Sequence, residues 1–131
     1  MKRGLSIFLV LLISLLSNSV FAYPAIISNK GVNHTKAKEV VYSIPESYYK
    51  YVKSIEFVNK PLKFNATDGK TIFGEYKVFW NKNHVCYNGR IKVWDFRMKK
   101  NLLHELGHII DHCLNKLNYS TEKFANDFIV K

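Results

Sequence analysis

The sequence predicts an α+β domain built on a single sheet, and three observations support this fold class. A cap residue and a proline near residue 45 resemble the start of a helix. About three segments between residues 55 and 96 have the β-branched, aromatic or alternating composition of strands. Apolar residues at helical spacing then recur from residue 98 onward. The resulting order of one helix, about three strands and two helices is typical of helices packed on one sheet.

The N-terminal segment is predicted to be a secretory signal peptide covering residues 1–22. Lys2 and Arg3 precede an apolar run over residues 5–16, and Ala22 stands where cleavage is expected. The run is shorter than the roughly 20 residues that a membrane-spanning helix needs. We therefore expect an exported protein, secreted or periplasmic, whose single domain comprises residues 23–131.

The first half of the domain is predicted to contain one helix and one strand. Residues 23–42 have only weak periodicity and are expected to form an extended or irregular lead-in. Ser43 as a cap and Pro45 in the first turn then indicate a short helix over residues 45–53. Residues 55–58 have strand composition, which ends at an Asn-Lys-Pro sequence.

The second half is predicted to contain two strands and two helices. Residues 65–70 have turn composition, and Asn88-Gly89 is interpreted as a second turn. We expect strands at residues 75–80 and 90–96, a helix over residues 98–117, and a final short helix capped by Ser120 or Thr121.

The charge of the chain indicates attraction to anionic surfaces. Without the leader, 18 basic and 10 acidic side chains remain, a net charge of +8. The positive charges are scattered singly and form no dense basic block, so the sequence does not favour nucleic-acid binding. We expect a monomer that is attracted to anionic cell surfaces.

The two cysteines, Cys86 and Cys113, are predicted to form a disulfide. An even cysteine count in an exported protein favours pairing in an oxidising compartment. On a regular helix Cys113 lies about 180° around the axis from His104, so it is expected to point into the body of the domain.

A metal-binding motif occupies the predicted helix at residues 98–117. His104 and His108 are four residues apart, with Glu105 between them, and form the H-E-x-x-H pattern. Histidines at this spacing share one helix face and can bind Zn²⁺ through two imidazole nitrogens. Glu105 is the candidate catalytic residue, because its carboxylate can act as a general base toward a zinc-activated water.

A catalytic zinc site needs a third protein ligand. His112 shares the helix face, but at 1.5 Å per residue it lies ~12 Å beyond His104 on a straight helix, and no glycine follows His108 to break that helix. Glu122 is preferred, since the chain can turn and return antiparallel with a glutamate in the first turn of the next helix. Asp127 is the rival ligand, more than one turn further along.

These residues resemble those of a known group of enzymes. The H-E-x-x-H sequence, followed by Asp111 and then by Glu122-Lys123-Phe124-Ala125, is similar to the gluzincin metallopeptidases, including the catalytic domain of anthrax lethal factor, the Pro-Pro endopeptidases and the minigluzincins. The resemblance covers residues 98–128. It implies a zincin-like domain with a backing helix, a small twisted sheet, an active-site helix and a glutamate helix, and it assigns Glu122 as the third zinc ligand.

Two positions depart from the lethal-factor-like pattern. Asn126 stands where those relatives have a second glutamate, and Asn115 stands where they have a transition-state tyrosine. Tyr119 is the nearest tyrosine and is the candidate for polarising the scissile carbonyl, with core or surface packing as its alternative role. Asp111 lies one turn beyond His108, where it could accept the ring N–H of that histidine or remain a solvated acid.

The sequence therefore predicts a secreted zinc endopeptidase that acts on a peptide or protein substrate bound beside a strand edge. Two alternatives stay open. One is an exported basic binding protein whose zinc site is structural or vestigial. The other is a zinc hydrolase that acts on the peptide cross-links of cell walls.

Overall fold

A computed structural model describes residues 22–65, 70–115, 122–123 and 125–126. The predicted signal peptide, apart from its last residue, lies outside these described residues, and so do Tyr119 and Asp127. The elements in chain order are β1 (Ala25–Ser28), α1 (His34–Tyr42), a 3-10 turn (Glu46–Tyr49), β2 (Val52–Val58), β3 (Lys63–Asn65), β4 (Lys70–Ile72), β5 (Gly74–Trp80), β6 (Cys86–Trp94) and α2 (Met98–Asn115). None of the helices in the described part is long and apolar enough to cross a membrane.

The predicted α+β class is confirmed. Four strands form a mixed sheet in the order β1-β2-β6-β5, and β3 pairs with β4 in a separate ribbon. The β1–β2 and β2–β6 pairs are parallel, whereas β5 and β6 are antiparallel. Both helices pack on one face of the sheet, where apolar side chains of alternate strand residues meet them. The fully buried residues of this core include Val41, Ile55, Phe57, Ile91, Val93, Leu102, Leu106 and Ile109.

Residues 23–42, expected to form an extended or irregular lead-in, contain a strand and a helix. These are β1, which pairs in parallel with β2, and α1, which follows Asn33. The Asn33 side chain accepts a hydrogen bond from the backbone N–H of Lys36 at 3.0 Å and so caps the helix. The periodicity of α1 is weak because only Ala37 and Val41 are buried, one turn apart. The extended part of the prediction agrees with β1, but the prediction was wrong for α1, because packing with distant segments rather than local pattern stabilises this helix.

The prediction of a helix over residues 45–53 is also wrong. Ser43 ends α1 instead of starting a new helix, and its hydroxyl donates to the Val40 carbonyl at 2.7 Å. Only one 3-10 turn follows, because Val52 already pairs with β6. Tyr49 in that turn is buried, and its hydroxyl donates to the Val41 carbonyl at 2.7 Å. Tertiary contacts therefore outweigh the helical spacing of these side chains.

Asn88-Gly89 is not the predicted turn but an irregularity inside β6. Asn88 has a φ of 52°, and the register of β6 against both of its neighbours shifts here. The N–H of Gly89 donates to the Tyr51 carbonyl at 2.7 Å. A Cβ at Gly89 would collide with that carbonyl oxygen, so the close approach of the two strands requires glycine.

The remaining elements agree with the sequence in type. The strands predicted at residues 55–58, 75–80 and 90–96 correspond to β2, β5 and β6. The predicted helix corresponds to α2 up to Asn115, and helical residues occur again at 122–123 and 125–126. The turn predicted at residues 65–70 lies mostly outside the described residues, between β3 and β4, which the sequence did not predict.

The predicted disulfide joins Cys86, the first residue of β6, to Cys113 in the last part of α2. The two Cα atoms are 5.7 Å apart, a distance typical of disulfides. Both cysteines are buried in the core, so Cys113 points into the body of the domain as expected. The bond fixes the far end of α2 to the sheet.

Candidate metal centre

The candidate site is built on α2, which the core holds in place. Leu102, Leu106 and Ile109 are fully buried and pack this helix against the sheet. His104 and His108 project from a neighbouring face, and their rings lie edge to face with centroids 4.6 Å apart. The four-residue spacing of the motif therefore places both imidazoles on one face of the helix, one turn apart, as predicted.

Glu122 meets the two histidines. Its carboxylate oxygens lie 3.1 Å from Nε2 of His104 and 2.8 Å from Nε2 of His108. The two Nε2 atoms are themselves 3.1 Å apart. Together the three residues form a group that could hold a metal ion. The helical residues around Glu122 thus return toward α2, as the spacing in the sequence predicted.

The donor set fits a transition-metal ion. Two imidazole nitrogens and a carboxylate oxygen are donors that zinc takes in proteins, and one such atom from each of the three residues lies within 4.8 Å of the others. Burial lowers the pKa of His108, so its imidazole is held in the neutral form that binds metals. The side chain of Glu122 is 72% exposed, and solvent therefore reaches the group from that side.

Glu105 lies beside this group and is buried, with 5% of its surface exposed. Its carboxylate packs against Gly74 of β5, where an added Cβ would lie 3.0 Å from Oε1. Burial, and secondly the nearby charges of Glu122 and Glu75, raise the pKa of Glu105 to about 8. A dication held by the three ligands would act in the opposite direction and favour the carboxylate. The position suits a group that exchanges protons near neutral pH.

His112 does not join the ligand group formed by the described residues. It is half-buried, with Nδ1 3.4 Å from the hydroxyl of Tyr76 and its ring 5.2 Å from that of Trp80. Burial lowers the pKa of His112, and the charge of Asp111 partly offsets this effect. Asp127 and Tyr119 lie outside the described residues, so their predicted alternatives stay predictions.

Asp111 takes neither of the two roles considered for it, because it is not hydrogen-bonded to His108 and it is not exposed to solvent. Asp111 is buried and accepts a hydrogen bond from the side chain of Asn115, one turn further along α2. Nδ1 of His108 is buried and has no hydrogen-bond partner within the described part of the chain. Asp111 still acts on His108 through its charge, which raises the pKa of the histidine and so opposes the larger effect of burial.

Two residues of β5 contribute to the site and were not singled out from the sequence. Gly74 leaves room for the Glu105 carboxylate, and the ring of Tyr76 stacks on that of His108 at a centroid distance of 5.2 Å and an interplanar angle of 13°. The alternation along β5 did place Gly74 and Tyr76 on the same face of the strand. It did not show that this face meets the histidine helix.

Comparison with protein-family models, with curated proteins and with solved structures finds no match to this chain. The site itself defines only a general class, that of proteins in which two histidines and a glutamate could hold a metal ion. In this chain a buried glutamate, Glu105, lies beside them. The more particular resemblance to the gluzincins stays a prediction, which rests on the H-E-x-x-H motif and on the spacing to Glu122.

Proposed function

We propose that this protein is an exported zinc-dependent endopeptidase of minimal gluzincin type. His104, His108 and Glu122 would hold the zinc ion, and Glu105 would act as the general base. The observation that carries this proposal is the convergence of the three donors beside a buried glutamate from the same helix. Any one of these features is common, but their combination is what hydrolysis by a zinc peptidase requires.

Three protein ligands favour a catalytic over a structural site. A structural zinc is ordinarily closed by a fourth side chain, whereas a catalytic zinc keeps one position for water or substrate. Within the described residues only three side chains form the group, and its Glu122 side is exposed. When bound, zinc would act as a Lewis acid on the scissile carbonyl and on a water molecule.

The chain's own residues would orient the substrate and move the proton. β5 pairs with β6 along one edge only, so in the described sheet its other edge can pair with an extended peptide. The Glu105 carboxylate lies against Gly74 of that strand, and is thus next to the backbone of a peptide bound there. Glu105 would accept a proton from water and pass it to the leaving amine. Tyr119 stays the candidate for polarising the carbonyl.

The proposal is tested by metal analysis of the exported protein combined with digestion of a peptide library derived from a proteome. Wild type is compared with Glu105→Gln, and Glu39→Gln serves as the control because Glu39 is exposed on α1. We expect one zinc per chain in all three proteins and a loss of cleavage by several orders of magnitude in Glu105→Gln alone. Equal cleavage by wild type and Glu105→Gln would contradict the mechanism.

A specific observation supports the binding-protein alternative. A cavity of about 590 Å³ lies on the face of the sheet opposite the core, and its lining includes Lys53, Lys77, Arg90 and Lys92 together with Glu56 and Glu75. Glu56 already pairs with Lys92 at 3.7 Å, which leaves an excess of positive charge for an anionic partner. If zinc is bound but neither library peptides nor cell-wall cross-links are cut, this alternative is favoured. Cleavage of the cross-links alone would favour the cell-wall hydrolase.

A further inference from the structure

Among the described residues, His108 has no partner for the hydrogen bond that usually orients a metal-binding histidine. A histidine that binds a metal through one ring nitrogen ordinarily donates its other N–H to a carboxylate, a carbonyl or water, and this bond fixes the ring. Nε2 of His108 faces Glu122 and His104. Nδ1 is buried and has no hydrogen-bond partner among the residues that the structure describes. Within the described residues, the imidazole therefore lacks the usual restraint at Nδ1.

Tyr76 makes the contact that is suited to this purpose. Its ring lies nearly parallel to the His108 imidazole, with an interplanar angle of 13° and centroids 5.2 Å apart. A rotation of the imidazole about its Cβ–Cγ bond would break the parallel contact. Because Tyr76 belongs to a strand that pairs with β6 along its length, its ring is presented from a rigid element.

The hydroxyl end of Tyr76 is held as well. It lies 3.4 Å from Nδ1 of His112, one helical turn beyond His108, and the two rings meet edge to face with centroids 6.1 Å apart. The His112 ring in turn packs on that of Trp80, four residues after Tyr76 in β5, with ring centroids 5.2 Å apart. Tyr76 is thus placed between two histidines of α2.

We propose that Tyr76 is a positioning residue, which holds the His108 imidazole in its metal-binding orientation by stacking instead of by a hydrogen bond to Nδ1. The inference rests on the proposed function, because it assumes that His108 is a metal ligand. The ring supplies the restraint, and the contact with His112 steadies the ring. His112 therefore contributes to the site through Tyr76 and not as a ligand.

The test compares Tyr76→Phe, which keeps the ring, with Tyr76→Leu, which removes it but remains apolar. Phe79→Leu is the matched control, since it removes an aromatic ring from the same strand on the opposite face. Zinc affinity is measured by chelator competition, and the histidine rings are observed by NMR correlation of their nitrogens and carbon-bound protons. A stacked aromatic pair is expected to change affinity about three- to tenfold.

We expect Tyr76→Leu to weaken zinc binding by that factor and to broaden or shift the His108 ring signals. Tyr76→Phe should stay within about twofold of wild type, and Phe79→Leu should be unchanged. If Tyr76→Leu binds zinc as wild type does, with the same His108 signals, the inference is wrong while the proposed function stands. If wild type itself binds no zinc, both are wrong.

One measurement needs no variant and so does not depend on folding of Tyr76→Leu. The face of the tyrosine ring should shift the carbon-bound ring protons of His108 upfield in the wild-type protein, with or without zinc. Shifts typical of an exposed histidine would overturn the stacking geometry, and with it the inference.

Discussion

Removing the disulfide should cost the domain much of its stability. The bond links residues that are 27 positions apart in the sequence. For a closed loop of that length the chain-entropy relation gives a stabilisation of about 3.5 kcal/mol at 25 °C. Domains of this size have total unfolding free energies of roughly 5 to 15 kcal/mol. The double variant Cys86→Ala/Cys113→Ala is therefore expected to be marginally stable.

Urea unfolding followed by circular dichroism measures this effect, with wild type compared with the double variant and with wild type under reducing conditions. Reduced wild type should lose a similar amount of stability, and oxidised wild type should show no free thiol by mass. Because the bond lies at the far end of α2 from His104, zinc affinity of the folded double variant should change little. A stability difference below about 1 kcal/mol would refute the reasoning from loop entropy.

Three further predictions concern the site and the core. Glu122→Gln should weaken zinc binding by more than an order of magnitude in a chelator titration while His112→Asn changes it little, and the reverse ranking would make His112 the ligand. Gly74→Ala, whose Cβ would lie 3.0 Å from Oε1 of Glu105, should keep its zinc but lose roughly ten- to hundredfold in peptide hydrolysis, and unchanged hydrolysis would contradict the close packing. Tyr49→Phe removes a buried hydroxyl bonded to a backbone carbonyl at 2.7 Å and should lower the unfolding free energy by about 1 kcal/mol near pH 7. Burial raises the pKa of Tyr49 above its ordinary value, so the folded form keeps the proton, and the advantage of wild type should shrink as the pH rises above about 10; parallel urea titrations at neutral and alkaline pH decide this.

The parts of the fold that could be predicted are those in which local pattern and tertiary pairing agree. β5 alternates over its first five residues, and α2 carries a continuous apolar face, so both were predicted from the sequence. β1 was missed because a short strand paired in parallel depends on a partner about 30 residues away, for which its four residues carry no signal. The turn predicted at Asn88-Gly89 was wrong for a related reason, because a residue with left-handed backbone followed by glycine occurs in bulges as well as in turns.

The residues of the candidate site also divide into those that local pattern predicts and those that depend on tertiary contacts. His104 and His108 were predictable because helical geometry alone brings them together, and Glu122 followed from the length of chain needed to return. Gly74 and Tyr76 were not predictable, because their contacts depend on how β5 faces α2. The sequence left Asp111 open between a hydrogen bond to His108 and a solvated acid, whereas in the structure its carboxylate accepts a hydrogen bond from Asn115.

The third histidine of the helix shows why spacing alone cannot assign a ligand. Positions 104, 108 and 112 lie on one face, but each step of four residues advances ~6 Å along the axis, so one ion can be shared by two of them and not by three. In the structure Glu122, which lies outside this helix, contacts both His104 and His108. His112 instead meets the hydroxyl of Tyr76, whose ring covers His108. If His104 and His108 are the metal ligands we propose, His112 acts on the site only through Tyr76, and a variant at His112 should change metal affinity less than Tyr76→Leu does.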